Sequence, residues 1–201
     1  HRIGYSVLTR QQGDARNNFR TGSQLDGDLV QLEFLQFNDM NEVWVAPSWA
    51  WKATDRLSVG ASMFVAVRSQ YMRSQITGES LGEAGDVGML SAIREFDYNS
   101  WRLVPKLGAT LDLHPVTLGA TVTLPSLRLW GSGSALFNNT STGVDLDGDG
   151  IADPAYTSNL QEEVKSNFKS GLAVGPGAGW DVGRATTLFL SAEYYASVGP
   201  Y

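Results

Sequence analysis

Cysteine is absent from the 201 residues, which excludes disulfides, zinc–thiolate sites and thiol catalysis. No apolar run approaches the ~18 residues that a membrane-spanning helix requires. Cationic side chains are also scarce, with 15 Lys and Arg against 21 Asp and Glu and a net charge of −6. Because nucleic acid needs a cationic surface, it is not expected as a partner. With two His and no nucleophile elbow, the chain is not predicted to be an enzyme.

Alternation of apolar and small or polar residues is abundant instead. In Leu57–Val67 every odd position is apolar, while Ser and Gly recur between them. Period-2 alternation of this kind predicts β-strands with one apolar face. The same pattern recurs in six segments, with a short seventh candidate at 2–9; the six are 43–53, 57–67, 101–113, 116–130, 172–182 and 187–195.

The connections between these segments alternate between short and long. Turns of two or three residues are predicted at 54–56, 114–115 and 183–185, and long loops at 72–100 and 131–170. Segments of about 11 to 15 residues exceed ordinary soluble strands and suffice to cross a bilayer at a tilt. The sequence therefore predicts an all-β, antiparallel transmembrane β-barrel with short periplasmic turns and long extracellular loops.

Tryptophan supports the same interpretation, because five of the six Trp fall on the apolar face by parity and only Trp44 does not. Trp51 and Trp180 precede short turns, whereas Trp101 and Trp130 lie at the opposite strand ends. Two aromatic girdles are typical of membrane barrels. The alternative is a soluble sandwich whose apolar faces pack inward.

Six or seven strands leave an open sheet edge, which is costly in lipid. Other chains or missing segments are therefore needed to close the barrel. We expect residues 1–201 to be part of a single transmembrane barrel domain. A fragment of a larger barrel is favoured over an assembly subunit.

Three phrases carry a family resemblance: "APSWAWKATDRLSVGASM", "PKLGATLDLHPVTLGATVTLPSLRLWGSGS" and "LSAEYYASV". Over roughly residues 41–197 the chain resembles the long-chain fatty acid and aromatic-hydrocarbon transporters (FadL-type) of Gram-negative outer membranes. The resemblance implies a fourteen-stranded monomeric barrel in the outer membrane, closed by an N-terminal hatch. Hydrophobic small molecules would enter by diffusion from the outer loops and leave sideways through the wall. The hatch segment has no counterpart in this chain.

An acidic motif lies in the loop 143–154, where Asp145, Asp147, Asp149 and Asp153 follow a D-x-D-x-D-G-x-x-D spacing. Carboxylates at alternate positions can converge on one hard cation, so calcium is a candidate cofactor with a role in stiffening the loop. Position twelve is Tyr156 and not Glu, which excludes an EF-hand. The alternative is a solvated acidic turn.

Several charged and aromatic side chains project into the lumen by parity. The candidate substrate or lumen residues are Phe64, Arg68, Arg102, Lys106, Phe189, Glu193 and Tyr195, with Asp112 and Asp181 on the same side. Charges inside a barrel must be hydrated or paired, so structural ion pairs are the alternative to contact with a substrate carboxylate. Interruptions of the ladder are expected at Pro47, Pro105, Pro125 and Pro176, and one of them could open a lateral exit.

The leading functional interpretation is a channel for passive uptake of hydrophobic compounds through the lumen. A structural or adhesive surface protein with calcium-stiffened loops and a general porin are the alternatives. The segment "DLVQLEFLQF" suits a helix or a strand equally and could contribute to a capture groove.

Overall fold

One curled antiparallel sheet contains all the secondary structure that the computed structural model describes, which covers residues 2–25, 27–82, 85–145, 151–182 and 186–199. The described residues include no helix long and apolar enough to cross a membrane. The strands are β1 (Arg2–Leu25), β2 (Asp28–Lys52), β3 (Leu57–Leu81), β4 (Val87–Asp112), β5 (Val116–Thr123), β6 (Leu127–Thr142), β7 (Ala155–Lys165), β8 (Ala173–Val182), β9 (Thr186–Ser191) and β10 (Tyr194–Tyr195).

The ten strands form seven rows. Strands β5 and β6 lie end to end along β4, with a break at 124–126. Strand β8 pairs with β5 and β7 pairs with β6, so these two form the next row, broken at 166–172. Strands β9 and β10 both pair with β8 and form the last row. The predicted all-β antiparallel sheet is confirmed, and its seven rows coincide with the six predicted segments and the seventh candidate.

The prediction of long loops at 72–100 and 131–170 is wrong for most of their length. Strands β3 and β4 stay in register from Leu57↔Leu111 to Leu81↔Val87, so 72–100 is a continuous hairpin with a connection at 82–86. In the second segment β6 and β7 pair, leaving connections at 143–154 and 166–172. Alternation is lost here because both faces of these strand ends carry polar side chains, while the backbone still forms the ladder. The "DLVQLEFLQF" segment belongs to β2.

The sheet has a lower end, with tight turns at 53–56 and 113–115, and an upper end, where the long hairpins close. In the first turn Ala53 N–H donates to the Leu57 carbonyl at 2.8 Å, and Thr54 Oγ1 accepts from two backbone N–H groups. These two predicted short turns are confirmed, and the third, at 183–185, lies outside the described residues.

The four prolines predicted to interrupt the sheet each lie at a break in the ladder or directly beside one. Pro125 lies in the break between β5 and β6, and Pro47 coincides with a gap in the β2–β3 ladder between Val45 and Ser48. Pro105 pairs with Met63 of β3, and its other side faces the break between β5 and β6. Pro176 pairs with Ala120 of β5, and its other side faces the break between β9 and β10. An interruption is therefore present beside each of the four predicted prolines.

The two faces of the sheet have opposite polarity. Buried side chains of the described residues lie on the concave face, and they include the charged groups Glu42, Arg68 and Arg102. The convex face carries exposed apolar side chains; among them are Val7, Val45, Trp49, Trp51, Met63, Leu107, Leu111, Leu118, Trp130, Val174, Trp180 and Leu190. The sheet curls so that side chains of its two edge rows meet on the concave side. There Arg10 Nη2 of β1 donates to Tyr195 Oη of β10 at 3.1 Å.

Candidate functional site

A buried carboxylate lies at the centre of the concave face. Glu42 Oε1 is 2.5 Å from Arg102 Nη2, and Glu42 Oε2 is 3.6 Å from Arg68 Nη1. Trp44 donates its indole N–H to the same carboxylate at 2.5 Å. The sheet registers produce this arrangement because Glu42 pairs with Arg68 across β2–β3, and Arg102 lies beside them on β4. Two of the predicted lumen charges, Arg68 and Arg102, therefore form a cross-strand network with Glu42, as hydration or pairing of buried charge requires.

A polar ladder continues from this network toward the upper end. Arg68 Nη2 donates to Gln70 Oε1 at 2.8 Å, and Gln70 Nε2 donates to Asn38 Oδ1 at 2.9 Å. Tyr98 donates its hydroxyl to Gln70 Oε1 at 2.5 Å. Each of these residues faces the concave side, so the interior remains polar above the ion pairs.

Phe168 lies over both arginine side chains. Its segment, residues 166–172, leaves the row of β7 and β8 and enters the concave side. The ring centroid is 3.9 Å from Arg68 Cζ and 4.3 Å from Arg102 Cζ. Cation–π contacts at these distances stabilise a desolvated guanidinium by roughly 0.5–2 kcal/mol each. The ring thus covers the two guanidinium groups on the side opposite the sheet.

A cavity of about 290 Å³ surrounds this group and has a strongly cationic lining. We call it the basic pocket. Five cationic side chains line it against two carboxylates; the cations are Arg10, Arg68, Arg102, Lys106 and Lys169, and the carboxylates are Glu42 and Glu193. In a chain whose net charge is −6, this is a local concentration of positive charge. Such a lining attracts an anionic group.

Below the basic pocket lies a wider cavity of about 700 Å³ with small lining residues. We call it the small-residue cavity. Glycines of four neighbouring strands face it: Gly60, Gly108, Gly119, Gly175 and Gly177. Added Cβ atoms at Gly108 and Gly119 would meet their nearest neighbours at 3.6 and 3.9 Å, so at these two positions the space belongs to the lumen and not to close backbone packing. Lys106 lines both cavities and marks their junction.

Above the basic pocket lies a third cavity of about 450 Å³, which we call the aromatic pocket. Phe96 and Phe137 meet edge to face at 5.5 Å between ring centroids, and Tyr98 and Val164 complete the apolar lining. Phe168 lines this cavity and the basic pocket alike. The three cavities therefore follow one another along the concave face.

Six of the seven predicted lumen residues lie in or beside the basic pocket. Arg68, Arg102, Lys106, Glu193 and Tyr195 line it. Phe64 packs behind the pocket against Trp44 at 5.3 Å between ring centroids. Phe189 lies apart, over Gly179 toward the lower end, and is 83% exposed. Asp112 and Asp181 also lie near lower strand ends and do not join the pocket.

Sequence reasoning missed Glu42, Arg10 and Phe168 as members of the site. For Glu42 a signal existed, because Trp44 was the one Trp outside the apolar face and Glu42 shares its parity. Arg10 lies at a register shift between Thr9 and Gln11, where parity fails as a guide. Phe168 comes from a segment outside any strand, so no period could have placed it.

The predicted calcium ligands are only partly covered by the structure. Asp147 and Asp149 lie outside the described residues. Asp153 N–H donates to the Val144 carbonyl at 2.8 Å, which closes the connection on itself. Within the described ranges no three acidic or imidazole groups cluster as a metal site. Calcium binding by Asp145 and its neighbours stays a prediction.

Comparisons with protein-family models, curated proteins and solved structures found no match to this chain.

Proposed function

We propose that this chain forms part of the wall of a transmembrane β-barrel that admits hydrophobic compounds passively across the outer membrane of a Gram-negative bacterium. One observation carries the proposal: the curled sheet exposes apolar side chains on its convex face and buries Glu42, Arg68 and Arg102 on its concave face. A soluble sandwich requires the reverse, because its apolar faces pack inward. A lipid-facing wall around a polar lumen requires the observed polarity.

The height of the apolar face supports the same proposal. On β4 and the following turn, outward positions run from Trp101 to Leu113, a length of 13 residues. At ~3.3 Å per residue this segment is ~40 Å long, and a strand tilt of ~40° reduces its height to ~30 Å. The hydrocarbon core of a bilayer is ~30 Å thick. Trp101 and Trp130 stack at 4.7 Å at the upper limit of this band, where an interfacial girdle belongs.

The order of the cavities suggests a path for an apolar solute with an anionic head, such as a long-chain fatty acid. The aromatic pocket, above the Trp101–Trp130 level, takes up the apolar part. The basic pocket receives the carboxylate, since guanidinium groups bind carboxylates with charge-assisted hydrogen bonds. The small-residue cavity then offers room for the alkyl chain.

A sideways exit has a candidate position in the wall. Two adjacent rows leave the ladder at the same height, at 124–126 and 166–172. Only a few hydrogen bonds bridge them there, including Ser126 N–H to the Ser170 carbonyl at 3.1 Å and Arg128 Nε to the Ser166 carbonyl at 2.9 Å. A wall with a local gap beside the basic pocket would let an apolar tail reach lipid.

Uptake by the full-length protein in liposomes tests the proposal. We expect entry of a labelled long-chain fatty acid without entry of a small sugar. Arg68→Gln should lower fatty acid uptake, whereas Arg94→Gln, an exposed residue of the upper hairpin, should not. Sugar entry without fatty acid entry would indicate a general porin. Entry of neither compound would favour a structural or adhesive surface protein.

A further inference from the structure

Phe168 is the single side chain that lines both the aromatic pocket and the basic pocket among the cavities described above. Its ring lies between the apolar lining of Phe96 and Phe137 on one side and the guanidinium groups on the other. A solute that moves along the sheet from the first pocket to the second therefore passes this ring.

The ring also covers a donor that is otherwise unused. Arg68 Nε is buried and has no hydrogen-bond partner within the described part of the chain. A buried guanidinium N–H without an acceptor is costly, and a phenyl ring compensates for it only in part. An anionic oxygen in place of the ring would accept a hydrogen bond from Arg68 Nε. Displacing the ring therefore loses cation–π contacts but gains this hydrogen bond.

The segment that carries Phe168 is hydrogen-bonded to the neighbouring row near both of its ends. Near one end Arg128 Nε donates to the Ser166 carbonyl at 2.9 Å. Near the other, Ser170 N–H donates to Ser126 Oγ at 2.8 Å, and Ser126 N–H donates to the Ser170 carbonyl at 3.1 Å. Residues 167–169 lie outside the strand ladder. The ring can thus swing away without breaking a strand pair.

We propose that Phe168 is a displaceable gate between the aromatic pocket and the basic pocket, held shut by its stacking on Arg68 and Arg102. This inference rests on the proposed function in treating the interior as a solute path. Opening exchanges two cation–π contacts for contacts between the guanidinium groups and an anionic head. Substrate affinity then sets how often the gate opens.

Side-specific labelling of a single introduced cysteine tests the gate, because residues 1–201 contain no Cys. Any Cys elsewhere in the full-length protein is first replaced by Ser. Thr123 is buried in the lining of the basic pocket, so Thr123→Cys reports access to it. The full-length protein is placed in vesicles with a charged, membrane-impermeant thiol reagent either outside or inside. Mass spectrometry measures the labelling rate in molecules whose upper hairpins face outward, as identified by protease cleavage.

With reagent on the aromatic-pocket side, Phe168→Ala should raise the labelling rate roughly tenfold, the factor that corresponds to ~1.4 kcal/mol of lost stacking. Phe168→Leu keeps most of the side-chain volume but removes the π face, so it should give a smaller increase in the labelling rate. This variant also provides the test if Phe168→Ala does not fold. Phe189→Ala is the matched control, since Phe189 lies on the same face but outside both pockets, and it should leave the rate unchanged.

Equal labelling in folded wild-type, Phe168→Leu and Phe168→Ala proteins would overturn the gate. An increase seen equally with reagent on the small-residue-cavity side would also overturn it, because the ring would then only stabilise the pocket. The labelling needs no transport. If Phe168→Ala raises the labelling rate as expected but the protein takes up no fatty acid, the gate is supported and the proposed function is refuted.

Discussion

Removal of the Glu42 carboxylate should be among the most destabilising single changes in the described part of the chain. The carboxylate is 2.5 Å from Arg102 Nη2 and 3.6 Å from Arg68 Nη1, and it accepts the Trp44 indole N–H. The exposed fraction of the Glu42 side chain is only 4%, and that of Arg102 is 2%. Breaking a buried pair by removing one partner typically costs about 3–5 kcal/mol, because the remaining charge is left uncompensated.

Urea unfolding of the protein in detergent micelles, followed by Trp fluorescence, measures the loss. With an m-value of ~2 kcal/mol/M, a loss of about 3–5 kcal/mol lowers the unfolding midpoint of Glu42→Ala by roughly 1.5–2.5 M. The triple variant Glu42→Leu, Arg68→Met, Arg102→Met should regain most of this stability, since apolar replacement of buried ion networks is often neutral or favourable.

Asp55→Ala supplies the matched control, because it removes a carboxylate from the exposed pair with Lys52 and should leave the midpoint unchanged. A midpoint for Glu42→Ala within the error of Asp55→Ala would refute the reasoning. It would mean that water or a neighbouring group compensates the two arginines, and that the concave face is not a low-dielectric interior at this height.

Two further predictions concern the outer wall and the acidic loop. Leu107 lies on the convex face midway between Trp101 and Leu113, so Leu107→Arg should destabilise the lipid-inserted protein by about 2–4 kcal/mol. The lumen-facing Thr110→Arg should cost far less in the same urea titration, and equal losses would contradict a lipid-facing wall. If Asp145 and Asp153 hold calcium, a chelator should speed protease cleavage at 143–154, and the double Asp→Asn variant should abolish that effect. Identical cleavage with and without calcium would favour a solvated acidic turn.

Period-2 alternation was sufficient to predict the sheet wherever the two faces meet different surroundings. In segment 57–67 apolar residues such as Val59 occupy one face of the strand, and small residues such as Gly60 recur on the other. The predicted strand is present there. Above Arg68 the same strand continues to Leu81 without a one-sided pattern. Hydrogen bonds between backbones maintain the strand there and leave no mark in the order of side chains. The seven rows were therefore predictable, but their lengths, and with them most of β6 and all of β7, were not.

Parity also placed five lining residues of the basic pocket, since it assigns side chains to a face without specifying their contacts. Arg68 and Arg102 could be placed in the interior from the sequence, but their shared partner required the β2–β3 and β3–β4 registers. Phe168 required more, because its position depends on a break in a row and on the inward path of 166–172. Sites built on regular strands can be anticipated by counting, whereas those that depend on breaks need the three-dimensional structure.

The directions of the two edge rows limit how the proposed barrel can close. Rows alternate in direction across the seven-row antiparallel sheet, so the first row, β1, and the last row, β9 and β10, run the same way. A second copy rotated about the barrel axis would bring β9 against β1 in a parallel pairing. Closure by antiparallel pairs alone instead requires an odd number of additional strands between these edges. The proposed barrel is therefore better completed by further strands of different sequence than by a second copy of these seven rows.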